Sequence, residues 1–419
     1  MNVISVLIIG YVWPEPSSSA AGSRMRDLIH LCLQNHWKIT FATPASASDH
    51  AIALDELNID TVAIQPNSET FDRFVTALQP NLVLFDRFIM EEQFGWRVAK
   101  YCPSALRILN TEDLHSLRKA RQQALNKKIK FTQQFYLTHE TTHRELASIY
   151  RCDLTLITSE VEIQILTRLL NVPEYLLHYF PVLQHTLSTY EQRKWPDFIQ
   201  REHMVMVGNF RHQPNWDAIL YLKQSIWPKV HKHLPGVQLH IYGAYMSQKA
   251  EQLHDPGQNF YVKGRADSAS EVVRKARLCL APLRFGAGLK GKLLEAMYNG
   301  TPSITSTIGI EGIAPPEKWP GAVADTASEF AEKTIHLYQH RRDWIKAQQL
   351  GIQCVSQFSK DVFIPKLQLR FNQLLKDLDS HRLKNATGMM IMHHSLKSTE
   401  YMSRWIETKN KLAKEEVKT

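Results

Sequence analysis

Residues 284–296, RFGAGLKGKLLEA, gather the residue types that hold anions and hydroxyls. Gly286, Gly288 and Gly291 fit G-x-G-x-x-G, the dinucleotide fingerprint. Gly286, Gly291 and Lys292 nearly fit G-x-x-x-x-G-K-[ST], the nucleoside-triphosphate loop, but Leu293 offers no hydroxyl to Mg²⁺. The dinucleotide pattern even finds an acid, Glu311, 20 residues after Gly291. That fingerprint belongs in the first strand–helix unit of its domain, however, and here strands of the same domain come first. A tight turn beside a solvated lysine pair is a third reading. A nucleoside diphosphate is the fourth. Lys290, Lys292 and the amides of a helix start would meet the phosphates, and Glu295 would accept from two neighbouring ribose hydroxyls.

Residues 108–118, ILNTEDLHSLR, are a second concentration of chemistry. They put Glu112, Asp113, His115 and Arg118 at the C-terminal end of a strand, where doubly wound sheets bind ligands. His115 also reads as a surface histidine, and Glu112 and Asp113 as helix N-caps. In 14–24, Gly22 permits close approach of a ligand, and Ser23 and Arg24 begin a helix whose amide end favours an anion. Residues 118–130, RKARQQALNKKIK, carry Arg118, Lys119, Arg121, Lys127, Lys128 and Lys130 without one acid. They read as an interfacial helix for an anionic membrane, or as the solvated face of a helix packed on its domain.

These groups need elements to position them. Apolar runs such as VISVLIIG (3–10), KITFATP (38–44) and NLVLFDRF (81–88) alternate with helical stretches such as 23–36 and 69–79. Such alternation specifies parallel sheets covered by helices. Residues 114–150 read as one long polar helical pattern, and the polar, aperiodic segment 184–203 as a linker. The alternation restarts at HMVMVGNF (203–210), followed by a helix over 215–233 that Asn215 would cap. The strand 277–283 runs into the glycine loop. The expected architecture is α/β, with two doubly wound Rossmann-like domains over 1–190 and 191–380 and a helical tail over 381–419.

Composition bounds the function. Fifty Lys and Arg against 41 Asp and Glu give a net charge of +9, which suits an anionic partner. Five scattered cysteines form no C-x-x-C, which points to a reducing, cytoplasmic setting without a zinc motif. No apolar run approaches the ~20 residues of a spanning helix. No nucleic-acid-binding signature is present, so nucleic acid is not an expected partner.

The longer stretch RFGAGLKGKLLEAMYNGTPSITSTIGIEGI (284–313) resembles the nucleotide-sugar-binding region of GT-B-fold glycosyltransferases, in particular the retaining bacterial enzymes of glycosyltransferase family 4. IGYVWPEPSSSAAGSRM (9–25) is similar to that family's first strand, glycine-rich loop and first helix, and VGNFRHQPNWDAI (207–219) to the start of its second domain. The tail MHHSLKSTEYMSRWIE (392–407) is similar to tails of the same subgroup.

The resemblance implies two domains facing across a cleft, with the tail crossing back to the first domain. It implies transfer of a sugar from a UDP- or GDP-linked donor to a saccharide or lipid-linked acceptor, with retention and without metal or other cofactor. Glu295 would hold the ribose. Lys290, the loop around Gly286, Gly288 and Leu289, and Arg284 would face the diphosphate, with Glu311 closing nearby. Asp113 and His115 would lie at the donor sugar. Gly22, Ser23 and Arg24 would form an acceptor or phosphate loop. Two positions depart from the pattern. Ala287 replaces the first glutamate of E-x7-E, and Asn209 follows Gly208 where an Arg is usual, which leaves Arg211 as the substitute cation. Ala287 keeps open a catalytically degenerate binding protein, and the glycine fingerprint an NAD-dependent oxidoreductase. The implied location is cytoplasmic or peripheral on the inner face of the plasma membrane.

Overall fold

Short runs of β-branched and aliphatic residues cannot bury themselves as isolated helices, and as strands they are buried on both faces. In the first of them Val6 and Ile8 pack with Leu28 and Ile29, whereas Leu7 and Ile9 pack with Phe71 and Phe94. This is the period of two expected of a pleated strand. The computed structural model describes residues 3–416.

The first domain holds β1 (Ser5–Ile9), β2 (Lys38–Thr43), β3 (Asp60–Ala63), β4 (Leu82–Asp86), β5 (Leu106–Asn110), β6 (Leu154–Ile157) and β7 (Leu177–Tyr179). They pair in parallel in the order β3-β2-β1-β4-β5-β6-β7. The second domain holds β8 (Met204–Val207), β9 (Leu239–Tyr242), β10 (Phe260–Gly264), β11 (Leu278–Ala281), β12 (Ser303–Thr305) and β13 (Gly321–Val323). Their order is β10-β9-β8-β11-β12-β13, again parallel. The α/β class and the two doubly wound sheets are those expected. Strand order reverses at β1/β4 and at β8/β11, and at these points loops diverge to leave a crevice beyond the strand ends.

Two local expectations are corrected. Residues 114–150 are not one helix but three, His115–Asn126, Gln133–Leu137 and Glu140–Arg151. Lys128 ends the first in a left-handed conformation (φ 54°), with Ile129 N–H on Ala124 O and Lys128 N–H on Leu125 O. Asn215 is not the cap of its helix. Gln213–Tyr221 starts after His212, and the Asn215 side chain turns inward. Its amide is drawn to Asn209 O at 3.1 Å. The segment 184–203 connects the two sheets and is anchored near its end, where fully buried Arg201 donates to Thr301 Oγ1 at 2.7 Å and Ala276 O at 3.2 Å.

The return to the first domain begins at Ser359, earlier than the expected residue 381. Ser359 bridges to Gln184, and Lys360 Nζ lies 2.6 Å from Asp27 Oδ1. In the helix Lys360–Lys376, Leu367, Phe371 and Leu374 fall on one stripe and join the first-domain core with Trp37. Burial of that stripe is the force that brings the chain back. The helix Ala386–Glu416 continues along the same domain, where buried Arg97 meets Glu407 at 3.6 Å and Ser403 at 3.1 Å. Residues 417–419 of the expected tail lie outside the described residues.

Candidate functional site

On the second domain the glycine loop follows β11 and feeds the helix Gly291–Tyr298. Lys292, on the first turn, reaches back to the β8/β11 switch point. Its Nζ donates to Asn215 Oδ1 at 2.6 Å. A Cβ at Gly208 would stand 2.9 Å from that Nζ, so glycine is what lets the ammonium lie against the end of β8. Burial lowers the Lys292 pKa to about 8, and no ion pair to a carboxylate offsets it among the described residues. Lys290, 7% exposed, donates to Gly288 O at 2.8 Å and stands 3.8 Å from Glu311. Burial lowers its pKa to about 8 against the pull of Glu311. Glu295 follows Lys292 by one turn, is half-buried, and accepts from Asn299 Nδ2 at 3.0 Å.

On the first domain the segment after β5 enters the cleft. Arg118 Nε donates to Asp113 Oδ2 at 2.6 Å, and His115 Nε2 lies 3.3 Å from Asp113 Oδ1. Burial pushes the Asp113 carboxyl up, but Arg118 and His115 outweigh it and hold it well below the usual range. Burial drives His115 down to about 3 despite Asp113, so its imidazole is neutral at physiological pH. No side chain caps this helix locally. Glu145 accepts from the amides of His115 (3.0 Å) and Ser116 (2.9 Å), and Glu162 from that of Leu114 (2.8 Å). These distant carboxylates replace the Glu112 or Asp113 cap expected from sequence.

The two halves close on one another. Glu162, 1% exposed, also accepts from Gly288 N at 2.7 Å, so one carboxylate ties the His115 segment to the glycine loop. Gly288 has φ 64°, and a Cβ there would meet Asp113 Cβ at 2.8 Å. Arg121 donates bidentately to Glu311, at 2.7 Å on each arm, and to Gly286 O at 2.8 Å. Asp113, His115, Lys290, Gly286, Gly288 and Glu311 are thereby brought to one place.

Other expected residues are elsewhere. Arg284 pairs with Asp217 and lies over Tyr221, away from the loop's phosphate face. Arg211 is exposed and stacks over Tyr245 at 4.1 Å. The Leu289 side chain packs in an apolar cluster with Leu293 and Ile310. The Gly22 amide is taken by Ser19 Oγ at 3.0 Å, and Ser23 Oγ donates to Pro16 O at 3.0 Å. That helix end is thus already capped. Arg24 is buried against Asn110, Phe180 and Pro181. Of the basic stretch, Arg118 and Arg121 turn into the cleft, while Lys119, Lys127, Lys128 and Lys130 remain exposed. Among the described residues no helix is long and apolar enough to cross a membrane.

Residues 201–340 match the family model described as glycosyl transferases group 1. The second domain is that of a group 1 glycosyltransferase. Solved structures extend the likeness to the whole fold. Sucrose-phosphate synthase from Thermosynechococcus elongatus aligns with TM-score 0.66 and 16% identity, over 89% of this chain and 99% of that one. The pneumococcal O-GlcNAc transferase GtfA, in complex with UDP and GlcNAc, gives 0.65 and 12%, over 90% and 99%. Anabaena HepE, in complex with UDP and glucose, gives 0.64 and 11%, over 89% and 99%. A comparison with curated proteins finds no match.

Several site groups escape the sequence reading. Glu162 and Glu145 lie on helical stretches with no local motif, and Asn215 reads as a cap. Arg121 looks like one cation of a solvated row. Lys292 is visible as a lysine beside the loop, but its inward path to Gly208 is not.

Proposed function

We propose that the glycosyltransferase moves a sugar from a nucleoside diphosphate sugar to a saccharide acceptor in the cleft, with retention and without a metal ion. The observation that carries this reading is Lys292, a cation at the β8/β11 switch point that faces Gly208 and has only an amide oxygen as partner. An ammonium partly withdrawn from water with no carboxylate beside it among the described residues is costly, and a site that keeps one is built for an anion. Lys290 and the amides at the start of Gly291–Tyr298 extend it to a second phosphate. Glu295, one turn on, takes the ribose hydroxyls.

As the glycosidic bond breaks, charge gathers on the departing diphosphate. Cations fixed beforehand stabilise that state more than the ground state. Neutral His115 hydrogen-bonds to the donor sugar. Ala287 removes a carboxylate from the loop, but Glu162 and Asp113 bring two to the adjacent Gly288 from the other domain. The UDP held in the pneumococcal and Anabaena structures supports uridine as the base.

The test is thermal stabilisation by UDP, GDP, ADP and NAD, followed by slow hydrolysis of UDP-sugars without acceptor. UDP should stabilise the parent protein. Lys292→Met should weaken UDP about 10- to 100-fold, the loss of a charge-assisted contact of about 1.5–3 kcal/mol. Stabilisation by NAD alone would replace this reading with an oxidoreductase, and UDP binding without hydrolysis would leave a degenerate binding protein.

A further inference from the structure

The tail helix Ala386–Glu416 has one face that the fold uses and one that it leaves in water. The inner face holds it to the first domain. Ser403 is buried beside Arg97, and Asn385 Nδ2, just before the helix, donates to Tyr150 O at 2.8 Å. Residues 386–413 carry two carboxylates, and both turn inward. Glu400 pairs with Lys100, and Glu407 accepts from Glu69 N–H at 3.1 Å besides meeting Arg97.

The outer face is apolar and aromatic. Met390, Tyr401, Trp405 and Leu412 follow one another at intervals of 11, 4 and 7 residues, each close to a whole number of helical turns. They therefore form one stripe, and all four are exposed, Tyr401 by 69% and Trp405 by 61%. Met402 is exposed beside the stripe. Single exposed apolar side chains are ordinary, but an aligned row with two aromatic rings marks a surface made to be covered. Exposed Lys397 and Lys409 flank the row, and Lys409 Nζ stands 5.4 Å from the centre of the Trp405 ring.

We infer that the tail helix docks the protein on an anionic lipid surface, lying flat in the headgroup region with this stripe inward. Charge selects the occupant. Because the domain claims both carboxylates, the outer face keeps an excess of lysine, and two copies of it would set like charges together. The face is a convex helix about 46 Å long, which suits a plane better than a partner's groove-bound segment. Trp and Tyr settle at headgroup level, Met and Leu reach the acyl chains, and lysine stems extend back to the phosphates. His394, Ser398 and Thr408 on the same face keep the helix too polar to cross. The basic stretch 118–130 is the weaker candidate, since Arg118 and Arg121 are spent on Asp113 and Glu311. This inference goes beyond the transferase reading and does not rest on it.

Flotation of the full chain with vesicles of mixed phosphatidylcholine and phosphatidylglycerol, and with phosphatidylcholine alone, tests it. The chain should float with the mixed vesicles at low salt, and far less at high salt or without the anionic lipid. Tyr401→Ser with Trp405→Ser should weaken flotation about tenfold or more. Lys397→Glu with Lys409→Glu should weaken it and remove its salt dependence. All four positions are exposed, so both variants should melt with the parent. Brominated lipid should quench the parent's fluorescence more than that of Trp405→Phe. No flotation by the parent, or flotation that the Tyr401 and Trp405 substitutions leave unchanged, refutes the inference. So does a dimer in sedimentation equilibrium that Trp405→Ser dissociates, because a second copy then covers the face. Loss of flotation only in Lys127→Glu with Lys128→Glu would give the role to the basic stretch instead. None of these readouts uses a nucleotide, so the donor reading stands or falls separately.

Discussion

Lys292 concentrates the residue-scale argument. Its pKa, lowered by burial to about 8 from 10.5, has two consequences of opposite direction. The cation is needed to hold a diphosphate, so UDP affinity should fall as pH rises through about 8. The unfolded chain keeps its proton up to the ordinary lysine pKa. Between about 8 and 10.5 the unfolded state therefore binds more protons than the folded one, and this group adds stability as pH rises. Calorimetric titration with UDP and thermal melts from pH 7 to 9.5 check both halves. In Lys292→Met both dependences should flatten. Equal pH slopes in parent and variant would remove Lys292 from the anion site.

The helix His115–Asn126 shows how an element is fixed by residues far away in sequence. Its first amides end on Glu145 and Glu162, and Ser116 Oγ also donates to Glu145 at 2.6 Å. Burial raises the Glu145 carboxyl to about 7, against the Ser116 hydrogen bonds that favour its ionised form. Glu145→Ala would leave two buried N–H groups without an acceptor. The expected cost is about 1–3 kcal/mol by denaturant unfolding. Turnover should fall as well, because His115 and Arg118 start on that turn. An unchanged midpoint would show that water caps the helix equally well.

At the scale of the whole molecule, the two sheets point their C-terminal edges at one cleft and are clasped across it. Arg121 and Glu311 make the main ion pair, and Arg265 reaches Ser17 Oγ at 3.0 Å. Arg121 and Glu311 are 12% and 23% exposed, so their pair is better protected than a surface one. Arg121→Ala should shift the closed–open balance about tenfold, or ~1.4 kcal/mol, toward open. Small-angle scattering should then report a larger radius of gyration, which UDP partly restores. A variant with the parent's radius would show that the clasp follows closure instead of holding it.

Strand runs, alternation and the glycine loop were legible because each depends on local chemistry: β-branched apolar residues, helical stripes, glycines beside lysines. The fold class, the two sheets and the conjunction of Asp113 and His115 with Lys290 follow from them. What stayed illegible is contact between distant segments. Lys128 takes a left-handed helix end with no glycine to announce it. Arg284 and Arg211 look like phosphate ligands until Asp217 and Tyr245 claim them. Glu162 acquires meaning only when the second domain closes over the first and Gly288 N–H meets it. A single chain determines which groups it carries and how its segments curl. Packing alone determines which charges meet, because burial and neighbours set whether a carboxylate or an ammonium is paired, neutral or free for a ligand.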